Sequence, residues 1–256
     1  MDVGQITYGS VKRSRMKGYQ IIGKSSTIDS NLAGSFCKWA PSHDSLEVAE
    51  GQSPQDAWAL SFFPLVNDHF AVARTVHGGP EYSGRGGLSV VTSALIFSRE
   101  QMESYQYDAI AIARTALTLG SLILPIGKEE SLPEVTLPGK LLPLPAPRSD
   151  FIDSTPAMLP AHAVNWVARE ASSMLRDDQK VMICGRCDPL PILTLLIDQL
   201  KPEERAEVSF ACGLRSSSRR DFQVQFTHQA LQPRSEKELS RSGICPIDLR
   251  RVLVAT

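Results

Sequence analysis

Residues 57–97 read AWALSFFPLVNDHFAVARTVHGGPEYSGRGGLSVVTSALIF. Three apolar runs, at 57–63, 70–76 and 88–97, are separated first by Asn67-Asp68 and then by a glycine-rich loop at 78–87. Asn and Asp tolerate positive φ, so the first break predicts a tight return and an antiparallel pair. The third run is β-branched and apolar, as a strand on a buried sheet face requires. The period then changes. Ser98 and Gln101 fit a capping box, in which each side chain satisfies an exposed N–H at the start of a helix. Met102, Tyr105, Ala109, Ile112 and Ala113 recur at helical spacing up to Gly120, a C′ stop. A sheet with one covering helix makes this unit α+β.

Working outward, Ile6 and Tyr8 alternate with polar neighbours, and 18–24 carries Tyr19, Ile21 and Ile22. The basic link at 12–17 suits a hairpin loop, so the first unit is expected to be an antiparallel β-meander of about five strands. Residues 25–53 are polar and predict loop with a short helix, anchored by Phe36, Cys37 and Trp39. Six prolines between 125 and 147 forbid regular structure and predict an extended connector, held along a surface by Leu137, Leu141, Leu142 and Leu144. The expected organisation is therefore an N-terminal α+β domain at 1–124, a Pro-rich connector at 125–150 and a second, small α/β unit at 151–256.

In that second unit Val164, Val167, Ala168, Ala171, Met174 and Leu175 form a helical stripe, and 181–184 is a short buried strand. Asp188-Pro189 matches an N-cap with proline at N1, opening a helix that Lys201-Pro202 stops. Two alternating runs, Val208/Phe210/Cys212 and Phe222/Val224/Phe226, are read as a hairpin across the basic link at 213–221. The polar stretch 228–243 is expected to be mobile, and 252–255 to add a last edge strand.

Composition bounds the function. Apolar residues make up 42% of the 256-residue chain, enough to bury a core rather than remain disordered. Lys plus Arg is 27 against 28 for Asp plus Glu, and this formal charge of −1 excludes a general nucleic-acid or acidic-membrane binder. Five unevenly spaced cysteines do not make a disulfide scaffold, which points to a reducing compartment. No basic n-region precedes an apolar h-region at the N-terminus. The most apolar stretch, 109–125, contains Arg114 and falls short of the ~20 apolar residues of a span. A cytoplasmic location without membrane insertion is expected.

The most conspicuous local pattern is His77-Gly78-Gly79-Pro80-Glu81-Tyr82-Ser83-Gly84-Arg85-Gly86-Gly87. Backbone N–H groups of such a loop can meet an anion and Arg85 can add a bidentate donor. The pattern lacks a Gly-Lys-Ser/Thr ending and lies between strands, so glycine's tolerance of unusual φ explains it as a structural loop. His77, Glu81, Tyr82, Gly84 and Arg85 are its candidate ligand or partner contacts. Cys184-Gly-Arg-Cys187 has half the spacing of a zinc site, with no second half, and reads as small buried thiols. His43-Asp44-Ser45 places three triad residue types side by side, where a triad does not normally assemble. No Gly-x-Ser-x-Gly elbow occurs. Two basic clusters remain: Lys12, Arg13, Arg15 and Lys17, and Arg215, Arg219 and Arg220 beside Ser216, Ser217 and Ser218. Solvated turns account for both, and the second is also a candidate anion or partner contact. No catalytic residue, metal ligand or cofactor is assigned.

Several stretches together carry a resemblance. Gln5-Ile6-Thr7-Tyr8-Gly9-Ser10, Gly18-Tyr19-Gln20 with Ser25-Ser26, Pro41-Ser42-His43-Asp44-Ser45-Leu46 and Ser61-Phe62-Phe63-Pro64-Leu65 resemble bacterial GTPase-associated proteins. So do Arg74-Thr75 before Glu81-Tyr82-Ser83-Gly84-Arg85-Gly86-Gly87, and, further on, 202–210 with Gly213-Leu214. The resemblance spans most of 5–227. It implies a non-enzymatic adaptor or regulator working beside a GTPase in a bacterial conflict system, and it implies no catalytic residues. The alternative function is a small-ligand or nucleotide-binding enzyme that uses loop 78–87.

Overall fold

The computed structural model describes residues 1–13, 16–80, 87–123, 130–139 and 159–254. Its backbone is organised by one mixed sheet. β3 (Trp58–Leu65), β4 (His69–Pro80) and β5 (Leu88–Ser98) are the three central apolar runs, and they pair antiparallel in sequence order. The β3–β4 return has φ of 56° at Asn67 and 53° at Asp68, with His69 N donating to Val66 O. Positive φ at both central residues is the type I′ geometry that matches strand twist.

β1 (Asp2–Arg13) and β2 (Met16–Lys24) form a hairpin. Pairing continues to Arg13 opposite Met16, so the link is shorter than the expected 12–17 loop. The hairpin joins the sheet through β1 on β5, which gives the order β3-β4-β5-β1-β2 rather than a meander in chain order. The free edge of β3 is taken instead by β8 (Phe210–Cys212), antiparallel, with Phe62 opposite Phe210. Beyond it the pairing turns parallel, through β9 (Val224–Thr227), β7 (Lys180–Cys184) and β10 (Ile244–Asp248).

This parallel arrangement corrects the expected hairpin at 213–221. Strands β8 and β9 run the same way, so the basic link is a crossover. Alternation identifies strands but does not specify their direction. One further expectation is corrected: the C-terminal segment forms helix α8 (Leu249–Val254) instead of a strand. Residues 228–243 contain helix α7 (Pro233–Arg241). The edge strand is β10. Its Pro246 argues against a strand in the sequence, but an edge tolerates a residue that cannot donate to a ladder.

Helix α1 (Ser30–Trp39) starts where the Asp29 carboxylate accepts from Leu32 N at 2.7 Å. The expected single helix after Ser98 is two, α2 (Arg99–Ser104) and α3 (Ala109–Thr118). The Ser98/Gln101 capping box is present. The chain then breaks at Gln106 and Tyr107, both with positive φ, and Asp108 caps α3 through Ala111 N. Burying Tyr105 and Tyr107 together explains the interruption, since one continuous helix would point them to different sides. Gly120, with φ of 80°, ends α3.

Helices α4 (Ala161–Arg176), α5 (Pro189–Gln199) and α6 (Pro202–Glu207) follow, with β7 between α4 and α5. Phe62 and Phe63 point to opposite faces of the sheet, and both faces are covered. On the Phe62 side, residues of α2 to α5 pack with Val3, Leu95, Val181, Ile183 and Phe226 into one core. On the Phe63 side, Phe36 of α1, Ile6, Ile96 and Phe222 form a second. Sheet and first core thus run without interruption from residues 1–123 into 159–254. Burial on both faces is why 59–63 is buried throughout and, but for Ser61, apolar.

Residues 130–139 lie along β1. Strand β6 (Val135–Thr136) pairs with Asp2 and Val3, Leu137 N donates to Met1 O, and the Leu137 side chain is buried.

Candidate functional site

At the glycine-rich loop, residues 81–86, and with them Glu81, Tyr82, Gly84 and Arg85, lie outside the described residues. The side chains at 12–17 do too. The flanks of the loop are described. Register slips between His77 and Gly79, and a side chain on Gly78 would collide with Val91 Cγ2. Gly79 and Gly87 have φ of 105° and 97°, and Gly87 lies against the His43 ring. Positive φ accounts for glycine at 79 and 87, and the Val91 side chain for glycine at 78. His77 Nδ1 contacts the carbonyl oxygen of Ser89 at 3.3 Å, which fixes it as the donor. The other ring nitrogen, Nε2, is buried and has no hydrogen-bond partner among the described residues.

His43-Asp44-Ser45 serves the fold. His43 Nδ1 is 2.8 Å from Asp44 Oδ2, and Asp44 sits at φ 58°. Ser45 Oγ accepts from Ser42 N at 3.1 Å and from Arg220 Nη1 at 3.3 Å. Cys184, Cys187 and Cys212 are buried; burial pushes their thiols up to about 11, about 12 and about 12 respectively. Such thiols are inert at neutral pH.

The second basic cluster is more informative, because the crossover separates its members. Arg215 and Arg219 are exposed, whereas Arg220 is 8% exposed. Segment 42–47 docks on 213–215: Leu46 bridges Leu214, Glu47 N donates to Gly213 O, and Arg215 N donates to Ser45 O. Arg220 clamps this junction, its Nη2 donating to Arg215 O at 2.9 Å and its Nη1 to Ser45 Oγ. No carboxylate pairs with it among the described residues, and burial pulls its guanidinium below the ordinary value. Glu47, also buried, accepts from Thr227 Oγ1 at 2.6 Å and His228 N at 3.0 Å.

Arg220 and Glu47 line a cavity of about 640 Å³. Its floor is the face of β7 and β9 turned away from the first core, presenting Met182, Cys184 and Gln225. Its walls are the 214–222 crossover and α7. The sequence reading missed Gln225 and Glu47. A Gln between Val224 and Phe226 reads as the solvent-facing position of an alternating strand. The β9-to-β10 crossover carries α7 to this side of the sheet, where it walls the cavity that Gln225 lines.

Residues 2–138 match the family model of GTPase-associated protein 1, N-terminal domain type 2. The chain belongs to that family. No curated protein and no solved structure matches it. The matched region holds the antiparallel part of the sheet, α1 to α3, and β6, whose pairing with β1 gives a physical reason for the family unit to extend to 138. Loop 78–87 and segment 42–47 fall inside it. Arg215, Arg219, Arg220 and Gln225 fall outside.

Proposed function

We propose that this chain is a non-enzymatic adaptor or regulatory module that acts with a GTPase in a bacterial conflict system. Membership of the GTPase-associated family over 2–138 is the observation that supports this reading. The contact surface in this proposal is loop 78–87. Tyr82 and Arg85 carry the side-chain chemistry enriched at interface hot spots, and the loop is set between two strands of the rigid sheet. The exposed Arg215 and Arg219 form a secondary acidic-partner contact.

The test is retention of GTPases encoded near this chain by the tagged protein, each loaded with GDP or with a non-hydrolysable GTP analogue. State-dependent retention is expected of a regulator, because a partner shifts a switch only through differential affinity for its states. Arg85→Ala is expected to weaken retention about tenfold or more while the melting temperature stays unchanged. Equal retention in both states would mean a constitutive adaptor, and no retention would reject the proposal.

A further inference from the structure

Two buried polar groups around the 640 Å³ cavity have bonding capacity that the protein does not use. Arg220 donates two of its five N–H groups, to Arg215 O and Ser45 Oγ, leaving three without an acceptor among the described residues. Gln225 is 9% exposed, and its Oε1 is buried with no donor among the described residues. A buried polar atom left unpaired costs about 1–3 kcal/mol, so Gln225 Oε1 calls for an explanation.

The other charges on the cavity wall do not supply one. Glu47 is engaged by Thr227 and His228, Asp221 pairs with Lys180, and Glu238 pairs with Arg234. Among the described residues Asp221 and Glu238 are ion-paired and Glu47 is held by uncharged donors, whereas Arg215 and Arg220 have no acid. Two unpaired cations against one carboxylate leave a net positive charge on this wall. Ser216, Ser217 and Ser218 add hydroxyls beside it, while Met182, Cys184 and Leu231 form an apolar patch on the floor. A largely apolar concavity of about 300–1,000 Å³ with a few convergent polar groups is the usual form of a small-molecule site.

We infer that this cavity binds a small organic oxyanion, its charged group on Arg220 and a hydroxyl or N–H of the same molecule on Gln225. The guanidinium fork matches carboxylate and phosphate oxygens, two acceptors side by side. A terminal carboxamide torsion is broad, so a modest turn presents Oε1 to a donor in the cavity. Arg220 and Gln225 lie outside the matched family region, while Glu47 on the cavity wall lies inside it, and the inference stands independently of the GTPase reading.

The probes are inorganic phosphate, succinate and malate, titrated into the isotopically labelled full chain at constant ionic strength with chloride as balance. Side-chain N–H resonances of Arg220 and Gln225 report binding. Saturable shifts of Arg220 in the millimolar range, about −4 kcal/mol, are expected for at least one probe. The phosphate and dicarboxylate arms distinguish the two oxyanion sources. Malate differs from succinate by one hydroxyl and should bind about 2–10-fold more tightly, as one added hydrogen bond implies. Gln225→Leu should erase that preference yet keep the anion response. Arg220→Lys should abolish the response read at the Gln225 side-chain N–H, with its melting curve showing whether the fold survives; Gln225→Leu tests the site in a variant that leaves the Arg220 clamp in place. Absence of a saturable shift at Arg220 with all three probes overturns the inference. A response without hydroxyl preference overturns the role of Gln225.

Discussion

Gly78 and Gly213 look alike in the sequence, but different obstacles surround them. A Cβ on Gly78 would meet the end of a side chain, Val91 Cγ2, whereas on Gly213 it would meet backbone, Trp58 O, at a φ of 76°. Overpacking costs about 1–3 kcal/mol, more where nothing gives way. Gly78→Ala is therefore expected to lower the urea midpoint, with partial recovery on adding Val91→Ala. Gly213→Ala is expected to cost about 3 kcal/mol or more, because it adds backbone strain to the collision and no neighbouring side chain can be trimmed to relieve it. Equal rescue of both variants would refute this distinction. Neither obstacle is visible from the sequence, since Val91 and Trp58 reach these glycines only through cross-strand and loop packing. Arg220 makes the same point. Its neighbours Ser218 and Arg219 gave no sign that it alone turns inward, because its acceptors come from Arg215 O and from Ser45, far away in the chain.

At the scale of elements, the helix starts were the most legible feature, because a cap is a local hydrogen bond. Asp188 shows both the strength of that signal and its limit. Its carboxylate accepts from Leu190 N at 3.0 Å and opens α5, as the Asp-Pro pair predicted. Burial raises its pKa above the ordinary 3.8, against the lowering by that bond and by Arg114. The folded protein thus holds the proton more tightly than the unfolded chain does. This favours folding below pH 3.8 and the gain is lost as pH rises through the folded value. Asp188→Asn keeps an N-cap acceptor and removes the buried charge, so it should match or exceed the parent in stability at pH 7. Asp188→Ala should lose about 1 kcal/mol. Chemical denaturation of the three proteins at pH 7 decides this, and an Asn variant as weak as the Ala variant would show that the charge itself is needed. The interruption between α2 and α3 was not legible, because the periodic apolar pattern continues across it while Tyr105 and Tyr107 are buried through positive-φ backbone at 106 and 107.

At the scale of the whole molecule, β3 joins the antiparallel strands to β8 and the parallel strands beyond. The Phe62–Phe210 rings lie 5.9 Å apart on one face, and Trp39 and Phe63 both pack on Phe222 on the other. Separating residues 1–138 from 159–254 would expose both cores at once. One cooperative unfolding transition is therefore expected, with near-UV dichroism, far-UV dichroism and tryptophan fluorescence coincident in urea. Trp39 and Trp58 report one side of the β3–β8 junction and Trp166 the other, so resolved midpoints would show that the two parts unfold separately. Among the described residues, no helix is long and apolar enough to cross a membrane.

The sequence by itself determined which residues alternate, where helices start and where the chain returns tightly, and it carried the family resemblance over the matched region. These depend on neighbours within a few positions, through φ preferences, caps and side-chain period. The tertiary structure decided what borders what: β5 rather than β3 beside the β1–β2 hairpin, a parallel crossover in place of a second hairpin, and α7 as a wall of the cavity that Gln225 lines. Strand alternation has the same period whichever edge a strand joins and whichever way it runs. Order and direction are set by which pairing buries both faces of the sheet, so the cavity walled by Arg220 exists only once the two ends of the chain have met across it.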